Sequence, residues 1–462
     1  MGKKFAIHTL GCRVNAYESE AMKKALIDAG WTEAPFAPGA DAYIINTCTV
    51  THVADQKSRQ MLHRAKKLNP AAVVCAVGCY VEDSFEEAVK DPAVDIAVGN
   101  HDKARIAEIL SQFIYENESG EGAPSKNAMT LAACSVKGYE ELPHADGGDR
   151  TRAFLKIQDG CNQFCTYCMI PYVRGRARSR ALESIVEEAK GAAARGIKEI
   201  VLTGIHLSSY GRELDNPGRN LPTPFADRAE TNFRLLEAIR QTAAVEGIER
   251  VRMGSLEPGS ITEEFAAALA AVPEFCPSFH LSLQSGCDAT LKRMNRRYTA
   301  GQYLEKCGIL RAAFENPAIS TDIIAGFPGE TEEEFEKTAA FAREVGFMHI
   351  HAFKYSPRKG TKAAAMPDQV PEDVKNARAA VLAAIDEEAG GAYASSFIGK
   401  EEEVLVERVS REGGCCVAEG YTRRYVRARV KAEAALENDI LQAAFTGVSG
   451  RVLLGETPKA GV

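Results

Sequence analysis

Three thiols fall within one short stretch, Cys161-Asn-Gln-Phe-Cys165-Thr-Tyr-Cys168. Ligation by thiolates alone selects zinc or an iron–sulfur cluster. Three ligands are one short of four, so a four-iron cluster here keeps one iron without a protein ligand, the open position that a catalytic metal site needs. The plainer alternative is a structural zinc loop that borrows a distant fourth cysteine, although the Cys-x3-Cys-x2-Cys spacing is not the usual Cys-x2-Cys pairing. The chain has 13 cysteines. Its start, Met1-Gly-Lys-Lys-Phe-Ala-Ile-His8, carries no apolar signal segment, and no run reaches the roughly 18 apolar residues of a membrane span. The expectation is a cytoplasmic protein whose cysteines are reduced, so that clusters of them read as metal ligands rather than disulfides.

A second set is spread along the first quarter of the chain. Cys12, Cys48 and Cys79 each follow a short apolar run directly, in Thr9-Leu-Gly-Cys12, Ile45-Asn-Thr-Cys48 and Val77-Gly-Cys79. If those runs are parallel strands, all three thiols converge on one sheet edge, where α/β ligands bind. The alternative is three buried core cysteines. Gly11 and Gly78 free the backbone for close approach, and Asn15 and Asn46 are candidates to orient the site, with a capping or turn role the equal alternative for each. Cys75, Cys134, Cys276, Cys287, Cys307, Cys415 and Cys416 show no such convergence and read as packing residues.

These residues need a scaffold. At 462 residues the chain suggests about three domains. Runs at 5–10, 43–47, 73–77 and 96–99 alternate with helical patterns, which predicts a parallel-sheet α/β domain over residues 3–115. A polar stretch over 116–149 reads as a linker. Six further βα units, with strands at 153–158, 199–204, 250–256, 279–283, 321–327 and 349–355, predict a partial (βα)6 barrel over 150–395. Shorter runs that alternate with period two, at 403–409, 421–430 and 451–454, predict a small all-β barrel over 396–458. Cys161 then lies at the C-terminal end of the first barrel strand, the face on which barrel active sites are built.

The Cys-x3-Cys-x-aromatic-Cys loop, with Tyr167 as its aromatic, resembles the radical S-adenosylmethionine (SAM) superfamily. Leu202-Thr-Gly-Ile-His206, Ser255-Leu-Glu257 and Ile324-Ala-Gly-Phe-Pro-Gly-Glu330 fall at the strand ends where that resemblance places the cofactor. It implies that the open iron chelates SAM and that Tyr167, Gly204, Ser255, Glu257, Ile324 and Phe353 contact it. His206 and His351 also lie near strand ends, where a cofactor contact or plain packing are the readings; no histidine is assigned a catalytic role. With the second cysteine set and the β tail, the whole chain resembles the methylthiotransferases, radical SAM enzymes that replace C–H by C–S–CH3. The resemblance implies two [4Fe-4S] clusters, one on Cys161, Cys165 and Cys168 and one on Cys12, Cys48 and Cys79, and a tail of the RNA-binding TRAM type. Thr9-Leu-Gly-Cys-Arg-Val-Asn-Ala-Tyr-Glu-Ser-Glu20, Ile45-Asn-Thr-Cys-Thr-Val-Thr51 and the run Arg174-Gly-Arg-Ala-Arg-Ser-Arg180 are most similar to the branch acting on N6-threonylcarbamoyladenosine at tRNA position 37. Isopentenyladenosine in tRNA and a ribosomal-protein aspartate are the substrates of the neighbouring branches. Reduced flavodoxin or ferredoxin as electron donor, and a sulfur donor, are the further partners implied.

A net charge of −7 argues against binding nucleic acid by bulk charge, so any RNA surface is local. Tyr421-Thr-Arg-Arg-Tyr-Val-Arg-Ala-Arg-Val-Lys431 has five basic residues and no acid. Read as one strand, it puts Tyr421, Arg423, Tyr425, Arg427 and Arg429 on a single face, which combines phosphate attraction with base stacking. The plainer reading is a solvated strand face. Basic runs at 57–67 and 292–297 are candidate extensions, though helix surfaces are often basic for solubility alone. A non-catalytic, metal-containing RNA-binding protein is the reading from a different functional class.

Overall fold

The computed structural model describes residues 2–119, 127–129, 138–144, 151–215, 230–413 and 415–458. Cys134 lies outside the described residues.

The N-terminal domain is a parallel sheet of β1 (Lys4–Thr9), β2 (Thr32–Glu33), β3 (Ala42–Thr47), β4 (Val73–Gly78), β5 (Ile96–Val98) and β6 (Asn127–Met129), in the order β2-β1-β3-β4-β5-β6. Its strands are apolar on both faces because helices cover both. Phe5, Ile44, Cys75 and Val77 pack on one side, and Ala6, Tyr43, Ile45 and Ala76 on the other. Cys75 is thus a core residue, as its in-strand position implies.

The central domain runs β7 (Arg152–Asp159), β8 (Arg178–Ser179), β9 (Glu199–Gly204), β10 (Arg250–Met253), β11 (Ser278–His280), β12 (Ala318–Ala325) and β13 (His349–Lys354). The antiparallel β8 lies on the edge of β7; the other six strands form the predicted parallel arc. β7, β9 and β10 make one sheet and β11, β12 and β13 another. The Leu256–Leu281 bridge joins them. Helices Leu182–Ala194, Phe233–Ala243, Glu263–Ala270, Ala300–Ala313 and Glu332–Val345 cover the outside. Capping boxes start two of these, Thr299 with Gln302 and Thr331 with Glu334. The regular part of the fourth strand is shorter than its apolar run predicts, although the chain stays against β12 through the Leu281 N–H to Ser320 and Gln284 N–H to Asp322 bonds as far as Gln284, which takes φ 71°.

The tail is a closed barrel of β14 (Glu401–Glu412), β15 (Cys415–Thr422), β16 (Arg427–Ala432), β17 (Ile440–Ser449) and β18 (Val452–Glu456). Val404, Ala428, Val430, Phe445 and Leu453 fill it, and Phe397 from the end of helix Glu372–Ser395 closes it.

Two sequence expectations need correction. The segment read as a linker is partly structured: helix Ile106–Ser119 runs into it, and β6 pairs with β5. In addition, the Tyr139 hydroxyl donates to the Lys156 carbonyl at 2.6 Å, and Leu142 packs with Tyr17 and Ala21. Its polar composition hides these isolated anchors. The run 421–430 is not one strand. It is two, joined by a turn in which Tyr425 takes φ 62°, so alternation along the run does not define one face. Tyr421 and Tyr425 instead stack on each other across the turn, with centroids 4.8 Å apart.

That turn fastens the tail to the central domain. Arg252 donates to the carbonyls of Arg423 (2.7 Å) and Thr422 (2.8 Å), Arg250 donates to that of Tyr421 (3.1 Å), and Arg423 donates to that of Phe275 (3.1 Å). The guanidinium groups of Arg152 and Arg252 lie 5.5 and 4.8 Å from the centroid of the Tyr425 ring. Tyr421, Arg423 and Tyr425 are therefore occupied as an interdomain clasp rather than displayed on an open basic face. Arg427 and Arg429 remain on the outer surface, each paired with Glu419.

Candidate active site

The loop after β7 carries the first cysteine set. Gly160 begins it at φ 71°, and a Cβ there meets the Arg176 carbonyl oxygen at 2.0 Å, so only glycine fits this crossing. Asn295 donates to the Phe164 carbonyl at 3.1 Å, and Thr166 donates to those of Met294 and Arg293, fixing the loop to the segment after helix Asp288–Arg293. Arg296 reaches the Cys165 sulfur at 3.3 Å and pairs with Glu257 at 2.9 Å. Burial pushes the Cys168 thiol up to about 12 and the Cys161 thiol well above its ordinary value. Such thiols hold their protons at neutral pH until a metal displaces them. Three thiols on one loop, close enough to raise one another's pKa and with a guanidinium beside one of them, fit an anionic cluster of net thiolate ligation.

The second set converges as the strand pattern implies. A Cβ on Gly11, at φ 98°, lies 3.0 Å from the Cys48 sulfur, so the Cys12 and Cys48 loops touch. Cys79 opens the short helix after β4, and Asn100 donates to its sulfur at 3.5 Å. Burial pushes the Cys48 thiol up to about 11, and the neighbouring Cys79 and Cys12 add to the rise. Asn15 donates to the carbonyls of Leu10 (2.8 Å) and Thr47 (2.9 Å), tying the Cys12 loop to the Cys48 loop. Asn46 donates to the Asn15 carbonyl at 2.9 Å. Through these bonds the two asparagines brace the backbone of the Cys12 and Cys48 loops. This donor set also fits a three-thiolate cluster.

Buried charge locks the two cysteine-bearing domains together. Glu18 of the N-terminal domain pairs with Lys156 (2.8 Å) and Arg174 (2.7 Å) of the central domain, and with Lys103 of its own domain. Asp159 joins through Lys156 at 2.7 Å. On the far side of the arc Arg358 enters the N-terminal domain and bonds to Asp55, Asp83 (2.8 Å) and Thr49. The N-terminal domain is thus held at both ends of the open arc. Sequence reading missed Arg174, Arg296, Glu18 and Asn100. Arg174 and Glu18 each stand six residues after a cluster cysteine, Cys168 and Cys12, whereas Arg296 and Asn100 carry no such signal.

Of the expected cofactor residues, Tyr167 and Ile324 share one small apolar cluster with Phe327 and Tyr355. Phe353 is paired in register with Ile324 on the adjacent strand and is 46% exposed on the inner face. Glu257 lies 3.6 Å from His206 as well as beside Arg296. Gly204 lies against Gln158, whose side chain accepts from the His206 N–H at 2.6 Å. Ser255 is exposed at the end of β10. Of these, Tyr167 and Ile324 meet beside the Cys161 loop, and Arg296 links Glu257 to Cys165. No helix of the described residues is long and apolar enough to cross a membrane.

Comparison with known proteins agrees with this arrangement. Residues 155–342 match the Radical SAM superfamily, and residues 4–99 match Uncharacterized protein family UPF0004. The chain is 40% identical over 407 residues to threonylcarbamoyladenosine tRNA methylthiotransferase MtaB of Bacillus subtilis (strain 168), covering 88% of this chain and 85% of the relative. The enzyme of the same name from Aquifex aeolicus (strain VF5) is 37% identical, with 88% and 94% covered. A tRNA-2-methylthio-N(6)-dimethylallyladenosine synthase of Desulfotalea psychrophila is 36% identical, with 89% of each chain covered. Among solved structures, the radical S-adenosylmethionine methyltransferase TsrM of Kitasatospora setae shares the fold, with a TM-score of 0.54 at 16% identity over 79% of this chain and 77% of that one. With two three-cysteine sites on facing domains and whole-length similarity of this degree, the chain belongs to the radical SAM tRNA methylthiotransferase family.

Proposed function

We propose that the protein inserts a methylthio group at C2 of N6-threonylcarbamoyladenosine at position 37 of tRNA, forming 2-methylthio-N6-threonylcarbamoyladenosine. The observation that carries this reading is the docking of the two cysteine-bearing domains through Glu18, Lys156, Arg174 and Asn15, because the reaction needs both C–H cleavage and a sulfur source within reach of one base. C2–H of adenine is unactivated, so acid–base groups alone do not replace it. When bound, the [4Fe-4S] clusters and SAM supply one-electron cleavage and the sulfur to be transferred.

The chain's own residues do the rest. Cys161, Cys165 and Cys168 hold one cluster, with its remaining position open to SAM, and Cys12, Cys48 and Cys79 hold the other. Tyr167, Gly204, Ser255, Glu257, Ile324 and Phe353 line the SAM site, with Arg296 fixing the Glu257 carboxylate. The buried Glu18–Arg174–Lys156 network would hold the two cysteine-bearing domains in one orientation. Arg427 and Arg429 contact the tRNA backbone. A reduced flavodoxin or ferredoxin and a sulfur donor complete the reaction in the cytoplasm.

Nucleoside analysis of tRNA from a strain lacking the protein tests the reading. Loss of the methylthio group from threonylcarbamoyladenosine alone is expected. Loss from isopentenyladenosine instead overturns the substrate assignment.

A further inference from the structure

The inner wall of the arc carries a polar cluster that the two cysteine sites do not use. Along β12, Ile319, Ile323 and Ala325 pack against the outer helices, so Ser320, Asp322 and Ile324 face inward. By the same alternation Phe279 of β11 and Ile350 of β13 are in the outer core, and His280, His349, His351 and Phe353 face inward. Asp322 is the register partner of His351, and Ile324 is that of Phe353. The cluster therefore lies one inward step below Ile324, which packs with Tyr167 beside the Cys161 loop.

Its members are poised rather than consumed. The ligating atoms of His280, Asp322 and His351 all lie within 4.8 Å of one another. His280 is fixed at one ring nitrogen by Ser320 (3.1 Å) and meets Asp322 with the other (3.2 Å). The His351 ring lies 4.1 and 5.6 Å between centroids from those of His349 and His280, and its side chain makes no hydrogen bond to a described residue. His349 is held from outside by Asp386, at 2.9 Å. Two imidazoles and a carboxylate thus converge on an open inner wall, with an outer carboxylate orienting a third imidazole behind them.

We infer that His280, Asp322 and His351 form the binding site for the N6 substituent of the target base, a group with a carboxylate, a hydroxyl and a ureido N–H. This rests on the threonylcarbamoyladenosine reading and deepens it. The His351 N–H donates to the carboxylate, and Asp322, held at one oxygen by His280, accepts with its other oxygen from the hydroxyl or the ureido N–H. With C2 of the base presented to the layer of Ile324 and Phe353, the substituent projects away from it, toward the next layer of side chains roughly 7 Å along the strand. A dimethylallyl group offers none of these partners and leaves the cluster's polar atoms desolvated and unpaired, which is how a polar site rejects an apolar analogue.

The test compares affinities of the full-length reconstituted enzyme for two synthetic anticodon stem-loops, one with threonylcarbamoyladenosine and one with isopentenyladenosine at position 37. The wild type is expected to prefer the first by about tenfold or more. His351→Ala and Asp322→Asn are expected to bring the ratio near one, and His351→Gln, which keeps a donor, to retain part of it. Because each ratio is internal to one protein, a general loss of folded enzyme does not mimic the result. A ratio unchanged in both His351→Ala and Asp322→Asn overturns the site while the substrate assignment stands. A wild type that neither prefers nor modifies the threonylcarbamoyl loop overturns the assignment, and the site with it.

Discussion

Arg174 of the central domain donates to the side-chain oxygen of Asn15 in the N-terminal domain at 2.7 Å, so one guanidinium contacts the residue that ties the Cys12 and Cys48 loops together. Arg174 stands six residues beyond Cys168 and is fully buried with Glu18 and Asp159. It couples the position of one cysteine site to the other through a single rigid fork.

Removing that fork leaves buried carboxylates short of a partner. For Arg174→Ala the expected cost is roughly 3–5 kcal/mol, the range for breaking a buried ion pair. Arg174→Lys restores the charge but not the two-pronged geometry, so it is expected to recover part of the stability and not the hold on Asn15. Thermal melts with iron counts per chain check this. Wild-type melting and full iron content in both variants would show that the network does not hold the interface.

The two cysteine sites are expected to separate in function. Cys161→Ala abolishes formation of 5′-deoxyadenosine from SAM, whereas Cys48→Ala retains it and loses methylthiolation. Mass spectrometry of both products after one incubation reads the two steps together. Methylthiolated RNA at wild-type yield from the Cys48 variant removes the second site from the reaction.

The parts of this design visible in the sequence are those set by short-range pattern. The strand runs with Cys12, Cys48 and Cys79 at their ends are apolar for as long as two helix-covered faces require, and so they mark both the sheet and the edge where the thiols meet. The Cys161 loop is marked by its own spacing. Contacts that depend on how domains dock leave no such pattern: Arg174, Lys156 and Glu18 look like surface charges until the interface closes over them. Tyr421 and Tyr425 mislead for a related reason, since alternation identifies a strand face only if the backbone stays extended, and Tyr425 breaks it with a left-handed turn.

The surface left for RNA on the tail is consequently smaller than the run 421–431 implies. Arg427 is 55% exposed and Arg429 36% by side chain, and their partners Glu419 and Glu412 are separable surface acids. Each contact to a phosphate contributes close to one to the slope of log affinity against log salt. Arg427→Ala with Arg429→Ala is expected to lower that slope by about two, and binding measured across a salt series gives it directly. An unchanged slope assigns the phosphate contacts to other residues.

Glu199 sets the acid limit of the clasp between the tail and the central domain. Burial pushes its carboxyl up, but Arg252 and Arg152 outweigh burial and hold it at about 2, against an ordinary 4.5. Those arginines lie at 3.0 and 2.7 Å and are the ones beneath Tyr425. A carboxyl depressed in the folded state adds stability that is complete above the unfolded value and is lost as pH falls through the folded one. The difference corresponds to about 3 kcal/mol above pH 4.5, declining toward pH 2. Truncating the tail near Phe397 strips this cluster of its cover as well as removing RNA contacts, so Glu199→Gln is the cleaner probe. Its denaturation midpoint is expected to lie below that of the wild type at pH 7, with the gap narrowing steadily from pH 4.5 to pH 3. Parallel curves across that range would mean that Glu199 is charged to the same extent in the folded and unfolded chains, and that the arginines are held by the Tyr421–Tyr425 stack instead.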